Sequence, residues 1–149
     1  MARARDRLPG DVLIHPAIVA SLGFLLLNDL YLKSEHPGPI SWKLSDLAGL
    51  AFFPALLFAL IEITSSLVHR RPVLLSSRWM WFLAGGTAMS FALLKSIPAL
   101  AGIAERANDI ALSLALSSRG PTTFTQDASD LFALPAVLVA VWVGNRWRD

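Results

Sequence analysis

Four long apolar segments, separated by short polar breaks, dominate the pattern of the chain. A helix needs about 20 mainly apolar residues to cross a bilayer core of about 30 Å. The pattern therefore predicts four transmembrane helices, at about 11–32, 45–67, 79–97 and 128–145. We expect Pro54 to bend the second helix, because proline removes one backbone hydrogen bond.

A fifth segment, at about 99–118, has a different pattern. Its apolar residues recur at helical spacing, whereas Glu105 and Asp109 mark another face. The segment is too polar to span a membrane, and its pattern is typical of an amphipathic helix that lies in the interface. The sequence thus predicts an interfacial helix between the third and fourth transmembrane helices.

The composition favours the same class of protein. Of 149 residues, 54% are hydrophobic and only 16% are charged, and the mean hydropathy is +0.54. Soluble domains carry about a quarter charged residues. We therefore predict one all-α transmembrane domain over residues 1–149. The absence of cysteine excludes disulfides, thiolate catalysis and metal sites with cysteine ligands.

The basic residues sit at the ends of the apolar segments, which predicts the topology. Arginines cluster at the N-terminus, between the second and third helices and at the C-terminus: Arg3, Arg5, Arg7, Arg70, Arg71, Arg78, Arg146 and Arg148. The positive-inside rule then places both termini in the cytoplasm. No run of basic residues alternates with aromatic residues, so we expect no nucleic-acid partner.

An internal repeat suggests how the helices are arranged. Ser-Asp-Leu opens an apolar segment at residues 45–47 and again at 129–131, and a proline follows within each segment. This predicts a four-helix bundle built from two helical hairpins related as a parallel repeat. Asp46 and Asp130 would then lie at equivalent outer ends of helices two and four.

Small residues recur four apart in every predicted helix. They are Ala17 and Ser21, Ala51, Ala55 and Ala59, Ala84, Ala88 and Ala92, and Ala136, Ala140 and Gly144. Such faces let helix backbones approach closely in a membrane. Besides the lipid bilayer, we therefore expect a protein partner or self-association through these small-residue faces.

One stretch also resembles a known family. Asn28-Asp29, a following lysine, and Lys43-Leu44-Ser45-Asp46 with Ala-Gly-Leu at 48–50 resemble a pattern of small bacterial four-helix membrane proteins, N-D…K…(G)KLSD-x-A-G-L. That family has no assigned activity, and Ser41-Trp42 here replaces its usual Thr-Gly. The resemblance implies a multi-pass protein of the bacterial cytoplasmic membrane.

A fainter similarity is to VanZ-like proteins of the bacterial envelope. Asp46, Arg119 and Asp130 fit the layout of that group, in which one Asp leads the second helix and another leads the fourth. The histidine that follows an Asp-Lys in VanZ-like proteins is absent from this chain.

Ionisable residues near membrane depth are candidate functional groups. The predicted outer polar cluster consists of Asn28, Asp29, Lys43, Ser45, Asp46, Lys95, Asp127 and Asp130. It could bind a cation, a lipid headgroup or a proton. Alternatively, Asp46 and Asp130 only cap helices, the lysines extend to the interface, and Asp–Lys pairs only fix the fold.

No reaction can be inferred from these residues. His15, His36 and His69 lie at different ends of helices, and no serine has a histidine and a carboxylate within reach. We therefore predict no catalytic residue, no metal and no cofactor. Glu62 is expected to have a structural role, paired with Arg70 or Arg78.

Three functions stay open from the sequence. The first is a non-catalytic accessory or structural subunit of a larger membrane complex. The second is a small transporter or channel that uses Asp46 and Asp130. The third is an envelope or resistance factor of VanZ-like type.

Overall fold

The computed structural model of the chain describes residues 7–32, 35, 38–115 and 127–148. All regular elements in these ranges are helical, which confirms the all-α prediction. The α-helices are α1 (Pro16–Leu27), α2 (Pro39–His69), α3 (Ser77–Ser96), α4 (Pro98–Ala115) and α5 (Val137–Arg148). Two 3₁₀-helices (Asp11–Ile14 and Ala128–Ala136) precede α1 and α5, and a π-helical turn (Asn28–Leu32) follows α1.

The first predicted helix, at 11–32, is divided into three pieces. Pro16 disfavours helical geometry in the residue before it, and His15 is extended, with φ −64° and ψ 133°. The His15 ring then caps α1, since Nδ1 accepts a hydrogen bond from the N–H of Ala17 at 3.2 Å. Pro16 therefore restarts the helix.

The second helix begins six residues earlier than the predicted residue 45. Pro39 occupies its first turn, where the missing N–H costs nothing. The Ser41 hydroxyl accepts from the N–H of Gly38 at 3.2 Å and donates to the Gly38 carbonyl at 2.9 Å. Pro39 therefore starts the helix that was predicted to begin only at residue 45. From Pro39, α2 continues without interruption through Pro54 to His69.

The fourth predicted helix, at 128–145, does not begin as an α-helix. Residues Ala128–Ala136 form a 3₁₀-helix that contains Pro135, and α-helical geometry starts at Val137. Proline has no N–H, and its ring clashes with the carbonyl four residues earlier in an α-helix. The two Ser-Asp-Leu copies therefore differ in local conformation, the first α-helical and the second 3₁₀.

The core forms around α2, which contacts α1, α3, α5 and the second 3₁₀-helix. Its Ala55, Phe58 and Ala59 are completely buried. Ala84 of α3 and Ala140 of α5 are also buried. Within the described residues, much of the small-residue pattern is thus covered by the chain itself.

Three chain segments meet at one end of the fold. The N–H groups of Gly10 and Leu75 both donate to the Glu62 carboxylate, which brings the start of the chain beside the loop before α3. Met80 at the start of α3 packs against Gly144 near the end of α5. The beginning of α1, the α2–α3 loop and the end of α5 therefore lie together.

The α4 helix does not continue the direction of α3. Ile97 is extended, and the axis turns by 108° between Ser77–Ser96 and Pro98–Arg106. The predicted interfacial helix is thus present as a helix, although its side chains from residue 107 onward and the segment 116–126 lie outside the described residues.

Among the described residues, one helix is by itself long and apolar enough to cross a membrane, the part of α2 from Lys43 to His69. A second span arises only if α3 and the first half of α4 are taken as one broken span. The apolar segment Pro16–Leu32 is shorter than such a span. The four transmembrane helices therefore stay a prediction.

Replacing Gly144 tests the tightest helix contact. A Cβ atom there would lie 2.8 Å from Met80 Cγ and 3.0 Å from Met80 Cβ, atoms too close to the backbone to move freely. We expect Gly144→Ala to lower the free energy of unfolding by about 1–3 kcal/mol, as overpacking does. Thermal unfolding of the purified protein measures this.

Gly85→Ala is the matched control, because a Cβ atom at Gly85 meets nothing within 4 Å. Alanine has a higher helix propensity than glycine, so Gly85→Ala should raise the free energy of unfolding, by less than about 1 kcal/mol. Equal melting temperatures for both alanine variants would contradict the close packing of α3 on α5.

Candidate functional site

One lysine joins three elements at the end of the fold opposite Glu62. The Nζ atom of Lys95, in the last turn of α3, lies 3.2 Å from Asp46 Oδ2 of α2. It lies 2.6 Å from Asp130 Oδ2 of the second 3₁₀-helix. We call Asp46, Lys95 and Asp130 the charged triad. Its side chains are 22%, 10% and 6% exposed.

The charged triad has a formal net charge of −1. Two carboxylates face one ammonium group, which also lies 5.5 Å from the centroid of the Phe91 ring. Charges with so little solvent contact are stable only when they are paired. Lys95 therefore holds two carboxylates that would otherwise repel each other.

A more exposed polar pair lies on the same elements. Lys43 of α2 donates to the Ser129 hydroxyl, and its Nζ is 3.7 Å from Asp127 Oδ2. Hydrogen bonds from the Ser129 hydroxyl and backbone N–H, with a smaller contribution from the Lys43 charge, hold the pKa of Asp127 below its usual value. The side chains of Lys43 and Asp127 are 41% and 52% exposed, so solvent weakens this pair.

Neither aspartate is a helix cap, whereas the Asp–Lys pairs of the same interpretation are present. Asp46 lies two turns inside α2, because that helix begins at Pro39. Asp130 belongs to the first turn of the second 3₁₀-helix, and the cap is Asp127, which accepts from the N–H of Ser129 at 2.9 Å. The carboxylates of Asp46 and Asp130 bind Lys95 instead.

Asn28 joins α1 to α2 from a completely buried position. Its Nδ2 donates to the carbonyl of Ser41 at 2.6 Å, and its Oδ1 has no hydrogen-bond partner among the described residues. The side chain of the neighbouring Asp29 lies outside the described part of the chain. Of the predicted cluster, the structure thus joins Lys95 with Asp46 and Asp130, and Lys43 with Asp127.

A groove of about 600 Å³ opens beside the charged triad, between α2 and α3. Ser45, Asp46 and Lys95 line it together with apolar side chains of both helices. Sequence analysis missed its other polar residues, Thr87 and Ser90. The sequence signals that could have indicated the groove are Gly49 and Gly86, which lie on facing helices.

Glu62, on α2, is a carboxylate that the fold buries completely. Its Oε2 accepts from the N–H of Gly10 at 3.0 Å, and its Oε1 accepts from the N–H of Leu75 at 2.7 Å. One turn later, the Ser66 hydroxyl accepts from the N–H of Val73 at 2.9 Å. The sequence analysis expected an arginine partner for Glu62, whereas these contacts are with main-chain donors.

In the part of the chain that the structure describes, no three His, Cys, Asp or Glu side chains are placed to hold a metal ion. His15 packs edge-on against Trp142, with ring centroids 5.6 Å apart. His69 ends α2, and His36 lies outside the described residues.

The chain was compared with protein-family models, curated proteins and solved structures, and none of them matches it.

Lys95→Met tests the charged triad. The variant leaves two carboxylates of low exposure without their ammonium partner, so we expect it to lower the free energy of unfolding by about 3 kcal/mol or more. The triple variant with Asp46→Asn and Asp130→Asn removes all three charges and should recover much of the loss. Chemical unfolding of the purified variants provides the measurement.

Lys43→Met is the matched control, because the ion pair of Lys43 is exposed. It should change stability by less than about 1 kcal/mol. A Lys95→Met variant as stable as Lys43→Met would show that the charged triad contributes little.

Glu62→Gln tests the second carboxylate. An amide presents one oxygen and one NH₂ group, so either Gly10 or Leu75 would face a donor instead of an acceptor. We expect a loss of about 1–3 kcal/mol, the cost of one unsatisfied buried group. Faster hydrogen exchange at residues 10 and 75 would locate the effect, and unchanged exchange at both would contradict it.

Proposed function

We propose that the chain is a non-catalytic integral membrane protein that acts as an accessory or structural subunit of a larger membrane complex. The observation that carries this proposal is the distribution of exposed and buried groups. Phe82 is 71% exposed, Phe132 is 86% exposed and Trp81 is 54% exposed, whereas Glu62 and Asn28 are completely buried. Large apolar patches on a protein surface mark contact with a membrane or a partner.

The direction of α4 supports a membrane location. An axis turned by 108° from α3 lies close to the bilayer plane if α3 runs along the membrane normal. Pro98 is the first residue of α4. Ile103, on the same helix, is 63% exposed. An amphipathic helix in the interface combines such an orientation with an exposed apolar face.

The meeting of three chain segments at the Glu62 end supports the proposed topology. The N-terminal segment, the α2–α3 loop and the end of α5 carry the arginine clusters. Trp79, Trp81 and Trp142 are exposed near these segments, and the guanidinium of Arg146 lies 5.0 Å from the centroid of the Trp142 ring. Tryptophan and basic residues favour the cytoplasmic interface, so we place both termini in the cytoplasm.

The charged triad favours the subunit role over transport. A transport site needs carboxylates that face a wet path, but Asp46 and Asp130 bind Lys95 and the adjoining groove is mainly apolar. A membrane-embedded scaffold with an internal ion pair accounts for both features.

Single-cysteine labelling tests the topology, since the native chain has no cysteine. In intact cells, an impermeant maleimide should label Glu105→Cys on the outer side but should label Arg71→Cys only after permeabilisation. The reverse pattern would invert the topology. Labelling of neither variant before permeabilisation would contradict an outer position for α4.

Purification in mild detergent tests the subunit role. Extraction of the tagged chain from native membranes should retain a partner in fixed stoichiometry. Replacement of the most exposed aromatic residue, Phe132→Ser, should weaken that association without changing the melting temperature of the chain. A chain that behaves as a monomer under the mildest extraction would contradict the subunit role and leave the membrane location standing.

A further inference from the structure

The groove between α2 and α3 has the dimensions of a ligand site. It follows α2 from Ser45 to Leu57 and α3 from Phe82 to Lys95. Twelve helical residues extend about 18 Å at a rise of 1.5 Å per residue. The volume of about 600 Å³ lies within the range of roughly 300–1,000 Å³ that is typical of small-molecule sites.

Two glycines leave this groove open. A Cβ atom at Gly49 or Gly86 would meet nothing within 4 Å, so packing within the described part of the chain does not require glycine at either position. Larger side chains there would extend into the groove, since both glycines line it. Glycine on both walls keeps space for something that is not part of the described chain.

The walls and one end of the groove differ in chemistry. Phe53, Leu57 and Leu83 make the walls apolar, which suits a hydrocarbon chain. Asp46 and Lys95 lie at one end of the groove and make that end charged. The groove is therefore suited to an amphiphile, with its tail between the helices and its head at the charged triad.

The charge of the triad selects the head group. Two carboxylates and one ammonium leave a net charge of −1. Asp46 lines the groove and is 22% exposed, whereas Asp130 is 6% exposed, so the accessible carboxylate is that of Asp46. A cationic head with N–H donors complements this carboxylate, and an anionic head would be repelled by the net charge.

Thr87, which lines the groove, has a hydroxyl without a hydrogen-bond partner among the described residues. Thr87 Oγ1 is buried without a hydrogen bond among the described residues, two helical turns before Lys95. An unsatisfied buried hydroxyl calls for a specific explanation. That oxygen is not accessible from the groove in this structure, so the choice of occupant rests on Asp46 and the apolar walls.

We propose that this groove binds a single-chain amphiphile with a protonated amine head, whose ammonium group donates to Asp46 and whose hydrocarbon chain lies between α2 and α3. The site does not depend on the subunit role proposed above, because its chemistry is contained in one chain.

Dodecylamine, which is protonated at pH 7, is the probe. The full-length protein in phosphatidylcholine nanodiscs is titrated with dodecylamine, dodecanol and dodecanoate, and bound ligand is counted by native mass spectrometry. We expect dodecylamine to bind at least tenfold more tightly than the alcohol, and dodecanoate to bind most weakly. Asp46→Asn should reduce the affinity for the amine at least tenfold and leave that for the alcohol unchanged.

Two glycine variants locate the site. Gly86→Leu fills the groove and should abolish amine binding. Gly85→Leu is the matched control, because Gly85 is exposed and is not part of the groove wall. It should bind dodecylamine as the wild type does.

Several results would overturn the proposal. Tighter binding of dodecanoate would make Lys95 the recognition group, and equal binding of all three probes would show that no head group is selected. Unchanged amine binding in Gly86→Leu would place the amine elsewhere. A dimer that Gly86→Leu dissociates, in a protein that binds no amine, would assign the groove to a second copy.

Discussion

The pairing of Lys95 with two carboxylates constrains how the helices meet. Each charge is largely shielded from solvent, and each is stable only in the presence of its partners. The partners come from α2, from the end of α3 and from the second 3₁₀-helix, which are far apart along the chain. The axial position of α3 against α2 is thereby fixed at one end, as the hydrogen bonds of Glu62 fix the chain at the other end.

The sequence was sufficient to locate the helical segments but not their ends or their exact form. Apolar length is a strong signal, so the helical parts of all five predicted segments were found. Proline was the main source of error, because its effect depends on position. Pro39 starts a helix, Pro54 is accommodated inside one, and Pro135 lies in a 3₁₀-helix. A single sequence does not distinguish these cases without the partners that each backbone group finds.

For the site, the sequence predicted the residues better than their roles. Lys95, Asp46 and Asp130 were all named, since charged residues are conspicuous at the ends of apolar segments. The capping role failed for Asp46 because α2 begins six residues earlier than predicted, and it failed for Asp130 because Asp127 caps the second 3₁₀-helix. The groove was missed for another reason. Thr87 and Gly86 have no pattern that separates them from ordinary packing residues until α2 and α3 are placed side by side.

The two buried carboxylate sites should differ in how evolution can alter them. The charged triad consists of three side chains: loss of Lys95 leaves two carboxylates unmatched, whereas loss of either aspartate leaves one matched ion pair, so position 95 is the most restricted of the three. The donors shown for Glu62 are main-chain N–H groups of Gly10 and Leu75. Every amino acid except proline supplies that donor, so Leu75 can vary widely while Glu62 keeps its partner.

Gly10 is restricted for a separate reason, since its φ of 83° and the nearby Ile63 side chain disfavour any residue with a Cβ atom. Related chains should therefore vary at position 75 far more freely than at position 10, although both make the same hydrogen bond.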